Sequence, residues 1–461
     1  MIKQNYKWPR PIGFTPFDHQ RDTSEFLTNN SRAFCFNEQG TGKTASVIWA
    51  ADYLISVGLI KRVLVVCPLS IMQSAWQADL FKFAVHRTVE VAYGNAEKRN
   101  KIANSTAEFV VINYDGIPAI ATDAIGKSMF DLIVIDEANA YKNVQTKRWK
   151  LMRKLVTPDT WLWMLTGTPA AQSPVDAYGL GKLCVPTRAP RFLGDYRESV
   201  MVNVSKFRWV PRPDAQNTVF NMLQPAIRFE KSQCLDLPDV THTSRFAPLT
   251  PQQKKYYKEL KDRLFVEAAG EEISSVNAAA KMNKLLQISG GAVYSDTGSV
   301  IDFDVSNRLA VVEEVIEESS HKVLIFVPFR HTITLLQAHL LKANITCDVI
   351  HGDVQVRNRT SIFKQFQESA DPRVLIIQPQ AAAHGVTLTA ASTIIWYAPV
   401  TSTETYLQAN ARIDRPGQRN PMTIVHIEGS PIERRLYTML QSNILNHEKV
   451  VELYKKELDD A

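Results

Sequence analysis

The sequence predicts an α/β fold: two doubly wound parallel-sheet lobes, a helical insertion and connector between them, and a C-terminal helical brace. Three observations predict it. Short β-branched apolar runs recur, each followed by a stretch with helical spacing, which is the alternation of βα units. The runs are continuously apolar, so their strands are covered on both faces, as in parallel sheets. They come in two series, separated by a long stretch that lacks them.

In the first series, Ala33 to Phe36, Arg62 to Val66, Phe109 to Ile112, Leu132 to Ile135 and Trp161 to Leu165 read as strands of a lobe spanning 1–185. Trp161 and Trp163 are expected to be core. From about Pro186 to Val300 the strand pattern fades and prolines cluster at 211, 213, 225, 238, 248 and 251. Proline removes a backbone donor and interrupts regular elements. A helix from Gln252 to Ala269 and a Gly-Gly pair at 290–291 complete the connector assigned to 186–300. The second series is Val323 to Val327, Thr346 to Ile350, Val374 to Ile377, Thr393 to Tyr397 and Met422 to Ile427, in a lobe spanning 301–430. Ile432 to Leu458 reads as helix and makes 431–461 the brace.

Composition narrows the function classes. With 461 residues, 45% hydrophobic and 22% charged, the chain is ordinary globular material with room for two or three domains. Apolar runs such as Val323 to Val327 fall far short of the ~20 residues a membrane span needs. Met1 to Tyr6 has no apolar core behind its lysine, so no secretory signal is expected. The cysteines at 35, 67, 184, 234 and 347 never form a Cys-x-x-Cys pair, which argues against a zinc or redox site and for a reducing compartment. A cytoplasmic location is expected. The net charge of +6, from 53 basic and 47 acidic residues, permits a polyanionic partner without demanding one.

The strongest single feature is Asn37-Glu38-Gln39-Gly40-Thr41-Gly42-Lys43-Thr44. An apolar run precedes it, and Val47, Ile48, Ala51, Leu54 and Ile55 follow at helical spacing, giving strand, glycine-rich turn and helix. Glycines let backbone N–H groups converge on phosphate oxygens at a helix N-terminus. Gln39, Gly40, Thr41 and Gly42 would form that cradle, Lys43 would neutralise the β/γ-phosphates and the Thr44 hydroxyl would hold Mg²⁺. Asn37 stands where the strict pattern has glycine; asparagine tolerates left-handed backbone. A triphosphate site also needs a carboxylate at a strand end. Leu132-Ile133-Val134-Ile135-Asp136-Glu137-Ala138-Asn139 supplies two, Asp136 for Mg²⁺ and Glu137 to polarise the attacking water.

At this point the residues resemble helicase superfamily two, and within it the Swi/Snf family of DNA translocases, in a compact bacterial or phage form. Phe17-Asp18-His19-Gln20 matches the adenine-reading motif, making Gln20 the reader. Val65-Val66-Cys67-Pro68-Leu69-Ser70, with Trp76 after it, and Asn113-Tyr114-Asp115 resemble two DNA-contact motifs. Leu165-Thr166-Gly167-Thr168-Pro169 resembles the coupling motif, and Ile227-Arg228-Phe229-Glu230-Lys231 the basic segment that ends the first lobe. In the second lobe, Val323-Leu324-Ile325-Phe326, then His351-Gly352-Asp353 with Arg357 and Arg359, follow family order. Ala381 to Leu388, containing Gly385 and Thr387, is a divergent form of a glycine-rich motif. Gln408-Ala409-Asn410-Ala411-Arg412-Ile413-Asp414-Arg415 resembles the last motif, with Gln408 and two arginine fingers, Arg412 and Arg415.

The resemblance implies two RecA-like lobes, ATP with Mg²⁺, and nucleic-acid contacts by Ser70, Asn113, Lys142, Asn143, Arg228 and Thr387, mostly to phosphate and insensitive to sequence. It implies a DNA-dependent ATPase that translocates on duplex or forked DNA. A strand-separating DNA or RNA helicase and an ATP-gated clamp with little turnover are the alternatives; the first is disfavoured because no strand-splitting hairpin can be read. RNA as the polymer, and replication, repair or defence proteins as partners, stay open. Asn139 replaces the family's histidine and cannot titrate. Lys147, Lys150 and Lys154 share a helix face that reads as solvated. His351 and His384 read as hydrogen-bonding or packing residues.

Overall fold

The computed structural model describes residues 15–124, 129–167, 169–170, 173–205, 208–234, 237–268, 275–294, 300–381 and 386–442. The chain divides into two compact units, Met1–Asp236 and Leu237–Ala461.

The first unit contains strands β1 (Arg32–Cys35), β2 (Val63–Cys67), β3 (Val89–Val91), β4 (Phe109–Asn113), β5 (Leu132–Asp136) and β6 (Trp161–Leu165). An antiparallel hairpin of β7 (Met201–Ser205) and β8 (Arg208–Pro211) stands apart, and β9 (Ala226–Ile227) rejoins the sheet. The seven-stranded order is β3-β4-β2-β5-β6-β1-β9, with every neighbouring pair parallel. Successive side chains alternate between two cores, as strand geometry requires. Phe34, Val66, Ile112, Ile133 and Met164 enter one; Ala33, Val65, Val111, Val134 and Trp163 enter the other. That is why β2 and β6 are apolar at every position, and β4 and β5 at all but their last. The helix α1 (Asp18–Asn29) and the apolar helix α2 (Lys43–Ser56) belong to this unit, and Ser24 on α1 donates to the Ser46 carbonyl on α2 at 2.8 Å.

The second unit contains β10 (Val240–Phe246), the hairpin strands β11 (Ala292–Tyr294) and β12 (Val300–Asp302), then β13 (Lys322–Phe326), β14 (Cys347–Ile350), β15 (Val374–Ile377), β16 (Ala391–Trp396) and β17 (Met422–Glu428). Its six-stranded sheet runs β10-β17-β16-β13-β15-β14, again all parallel. Leu324, Leu375, Ile394 and Ile424 enter one core, while Val323, Ile325, Ile376 and Val425 enter the other. The helix Pro431–Gln441 opens on a capping box of Ser430 and Glu433. Glu433 also pairs with Arg308, 2.8 Å away, and both side chains are almost fully buried.

The stretch between 186 and 300 holds more strand than its sequence indicates. The sequence of β10, Val-Thr-His-Thr-Ser-Arg-Phe, is polar because it forms a half-covered sheet edge. The stretch also holds the hairpin of β7 and β8, whose strands are too short and too exposed to stand out by periodicity. Trp163 is fully buried, as expected, whereas Trp161 is half-buried. Lys147, Lys150 and Lys154 are all exposed. The last part of the expected brace, residues 443–461, lies outside the described residues.

Candidate active site

Because all strands of the first sheet run the same way, the segments leaving β1, β2, β4, β5 and β6 gather along one edge, where open α/β sheets bind ligands. The loop leaving β1 is shaped by Gly40 at φ +85° and Gly42 at φ +81°, backbone that L side chains resist. A side chain at 42 would also meet Gln20 Nε2 at 2.1 Å. Gly42 hands the chain to α2, whose first-turn N–H groups have no intrahelical acceptors and so could receive an anion.

Lys43 folds back over this loop, its Nζ donating to the carbonyls of Asn37 at 2.7 Å and Glu38 at 3.0 Å. On the other side, His19 Nε2 donates to the Thr41 carbonyl at 2.8 Å and Gln20 Nε2 to the same oxygen at 3.2 Å. His19 stacks on Phe17, with centroids 5.7 Å apart, and Phe229 lies 5.9 Å from it at a tilt. Gln20 is buried and thus held against the loop.

Asp136 ends β5. Its Oδ2 accepts from Trp76 Nε1 at 2.9 Å and its Oδ1 from the Glu137 amide at 3.0 Å. Burial pushes the carboxyl above its ordinary range, opposed by the Trp76 hydrogen bond, the Lys43 ammonium and the Glu137 amide. Glu137 adopts left-handed backbone, φ 50° and ψ 57°, rare for a residue with a side chain. The Tyr114 hydroxyl pins that turn, donating to the carbonyls of Asp136 at 2.6 Å and Glu137 at 3.3 Å. Thr166, at the end of β6, is buried, and its amide donates to the Cys35 carbonyl at 3.1 Å.

The donors suit magnesium. The Thr44 hydroxyl and a desolvated carboxylate are hard oxygen ligands, and Mg²⁺ keeps waters and substrate phosphates rather than a protein cage. Among the described residues no group of three or more His, Cys, Asp or Glu forms such a cage. The cysteines are free, and burial pushes the thiols of Cys35 and Cys184 up to about 11 and about 12.

The nucleic-acid candidates of this unit follow the same edge. Ser70 lies in the short turn after β2 and Asn113 is the last residue of β4. Asn113 is buried, and its Oδ1 finds no hydrogen-bond partner among the described residues. Lys142 is paired with Asp176 at 3.2 Å, while Asn143 is exposed and caps the Gln145 amide at 2.8 Å. Arg228 is 51% exposed and lies 3.8 Å from Glu38 and from Glu230.

In the second unit the last motif does not present its residues alike. Arg412 is fully buried, donating to the Val386 carbonyl at 3.2 Å. Arg415 is half-buried, donating to the Ala411 carbonyl at 2.7 Å and to Thr387 Oγ1 at 3.3 Å. Gln408 is buried and donates to Glu404 at 3.3 Å. His351 accepts from the Asp353 amide at 3.3 Å, a hydrogen-bonding role as expected. Gly385, His384 and Thr168 lie outside the described residues.

Residues 19–292 match the SNF2-related domain, and residues 307–417 match the helicase conserved C-terminal domain. The chain belongs to the SNF2-related family, the Swi/Snf branch of helicase superfamily two. Proteins similar to it include an uncharacterised ATP-dependent helicase of Mycoplasma genitalium, 26% identical over 85% of this chain and 37% of that protein. Protein p41 of Acyrthosiphon pisum secondary endosymbiont phage 1 is 25% identical over 90% of this chain and 93% of its own length. The ATP-dependent DNA helicase DDM1 of Arabidopsis thaliana is 23% identical over 90% of this chain and 59% of its own. The chain thus spans little more than a third of the mycoplasma relative. Sequence reasoning missed Thr23 and the partnership of Trp76 with Asp136; the tryptophan trailing the first DNA-contact motif was the one available signal.

Proposed function

We propose that the chain hydrolyses ATP and uses the cycle to move along duplex or forked DNA. One observation carries this reading: the loop bent by Gly40 and Gly42, with the Lys43 ammonium docked over its carbonyls, opens a helix N-terminus at the sheet edge where Asp136 ends β5. Gln20, buried beside the loop, reads the adenine. Gln39, Gly40, Thr41 and Gly42 cradle the phosphates, and Lys43 exchanges its two carbonyl acceptors for the β/γ-phosphates. A magnesium ion held through Thr44 and Asp136 would add positive charge at those oxygens. Glu137, turned by its left-handed backbone, orients the attacking water.

Arg415 supplies the finger from the second unit, an effect worth ~10³–10⁵ in rate. Arg412 and Gln408 support it from the interior, Arg412 through the segment that carries Thr387. Turnover on this reading depends on both units, which is what a stepping motor requires. Ser70, Asn113, Lys142, Asn143, Arg228 and Thr387 hold the DNA backbone, so binding weakens with salt. The family and its ATP-dependent DNA helicase relatives support DNA as the track.

The test is ATP hydrolysis with no polymer, single strands, duplex, forked DNA and RNA, with Lys43→Ala as the blank. Stimulation by duplex or fork is expected; equal rates throughout would replace the motor with a nucleotide-gated clamp. The hairpin of β7 and β8 favours one second reading, strand separation. Release of a labelled strand from a forked duplex would establish it.

A further inference from the structure

Asn37 replaces the glycine of a strict phosphate loop, yet its backbone is not left-handed: Glu137 and Asn344 alone have positive φ among the described non-glycine residues. Its side chain explains the choice. Asn37 is 1% exposed; Nδ2 donates to Thr23 Oγ1 at 2.8 Å and Oδ1 accepts the Phe229 amide at 3.0 Å. Thr23 Oγ1 donates its own proton to the His19 carbonyl at 2.7 Å, so its lone pair is open to the amide. Next in sequence, the Glu38 amide donates to the Phe229 carbonyl at 3.0 Å and Glu38 Oε2 accepts the Lys231 amide at 3.0 Å.

We propose that Asn37 and Glu38 are positioning residues that tie the loading of the phosphate loop to the segment 228–231. This rests on the reading that the loop binds ATP. The peptide between Asn37 and Glu38 is one rigid plane. On one side its carbonyl holds the Lys43 ammonium; on the other its N–H holds the Phe229 carbonyl. When a triphosphate draws Lys43 away, that plane loses its charged donor and can tilt only by moving Phe229. The Asn37 side chain carries the same displacement to the Phe229 amide and, through Thr23, to α1. Phe229 also lies 5.9 Å from the His19 ring, so the base-reading end bears on the same residue. From outside, a phosphate that takes the half-exposed Arg228 from Glu38 acts on the loop in reverse. That ion pair at 3.8 Å is loose enough to be exchanged.

Hydrogen exchange at the amides of Phe229 and Lys231, read by mass spectrometry on the full chain, tests this with and without magnesium and a non-hydrolysable ATP analogue. Nucleotide should change wild-type exchange there by about tenfold, the effect of one hydrogen bond. Asn37→Gly should bind the analogue but lose the response, and duplex DNA should no longer raise its turnover at saturating ATP. Asn37→Asp, which keeps the acceptor for Phe229, should retain both. A wild type that binds the analogue without any change at these amides overturns the proposal, as does a response that survives in Asn37→Gly or is lost in a folded Asn37→Asp. A wild type that binds no analogue removes the proposed function, and this inference with it.

Discussion

The indole N–H of Trp76 donates to Asp136 Oδ2 at 2.9 Å from a fully buried ring. An indole can do this from a packed site because one edge is polar while the body is apolar. It orients the carboxylate proposed to face magnesium, as partners behind metal ligands do. Trp76→Phe keeps most of the packing and removes the donor. It should raise the magnesium concentration for half-maximal hydrolysis by about 10–100-fold. A magnesium titration of ATPase rate checks this; an unchanged midpoint would show that the Trp76 donor does not support the ion.

Arg412 and Arg415 should part company on mutation. Arg415→Ala should keep its melting temperature and ATP binding while losing about 10³-fold or more in turnover. Arg412→Ala empties a buried site and strips a donor from Val386, so it should lower the melting temperature by several degrees. Thermal melts and single-turnover hydrolysis of the two variants, run together, separate the roles.

Glu433 accepts from buried Arg308 and also from the amides of Gly429 and Ser430. Removing one member of such a pair leaves an unpaired buried charge. Glu433→Ala should therefore cost about 3–5 kcal/mol. Urea unfolding measures the loss, and replacing both partners by apolar residues should recover part of it.

His426 is fully buried, stacked 5.8 Å from His242 and bonded to the Tyr406 hydroxyl at 2.8 Å and Gln441 at 3.1 Å, with Tyr437 against its ring. Burial, with the nearby His242 adding to it, pushes its pKa down from 6.5 to about 3. The unfolded chain binds this proton first as pH falls, so the stability from the neutral ring is full above 6.5 and drains away between 6.5 and about 3. The slope is about 1.4 kcal/mol per pH unit. Urea midpoints at pH 6.5 and 5 should differ by less in His426→Gln than in the wild type.

The two parallel sheets could be read in the residues because a strand covered on both faces must be apolar throughout; Val63 to Cys67 and Val323 to Phe326 leave no other choice. The edge strand β10 could not, since a half-solvated strand has no such signature. In the proposed site, the loop carrying Lys43 and Thr44 and the strand end carrying Asp136 were legible because each is set by neighbours a few residues away. The bonds from Asn37 to Thr23 and Phe229 span 14 and 192 residues, and no local pattern records them.

Residue order alone was enough to establish the alternation of strands and helices, the glycines that bend the loop after β1, and the acid that ends β5. These follow from local sterics and from which faces must avoid water. Packing in three dimensions settled which arginine of the last motif is interior, how Glu137 is turned, and what Asn37 holds. Those outcomes depend on which distant groups meet in a crowded interior, where a buried donor or acceptor must find a partner wherever the chain happens to supply one.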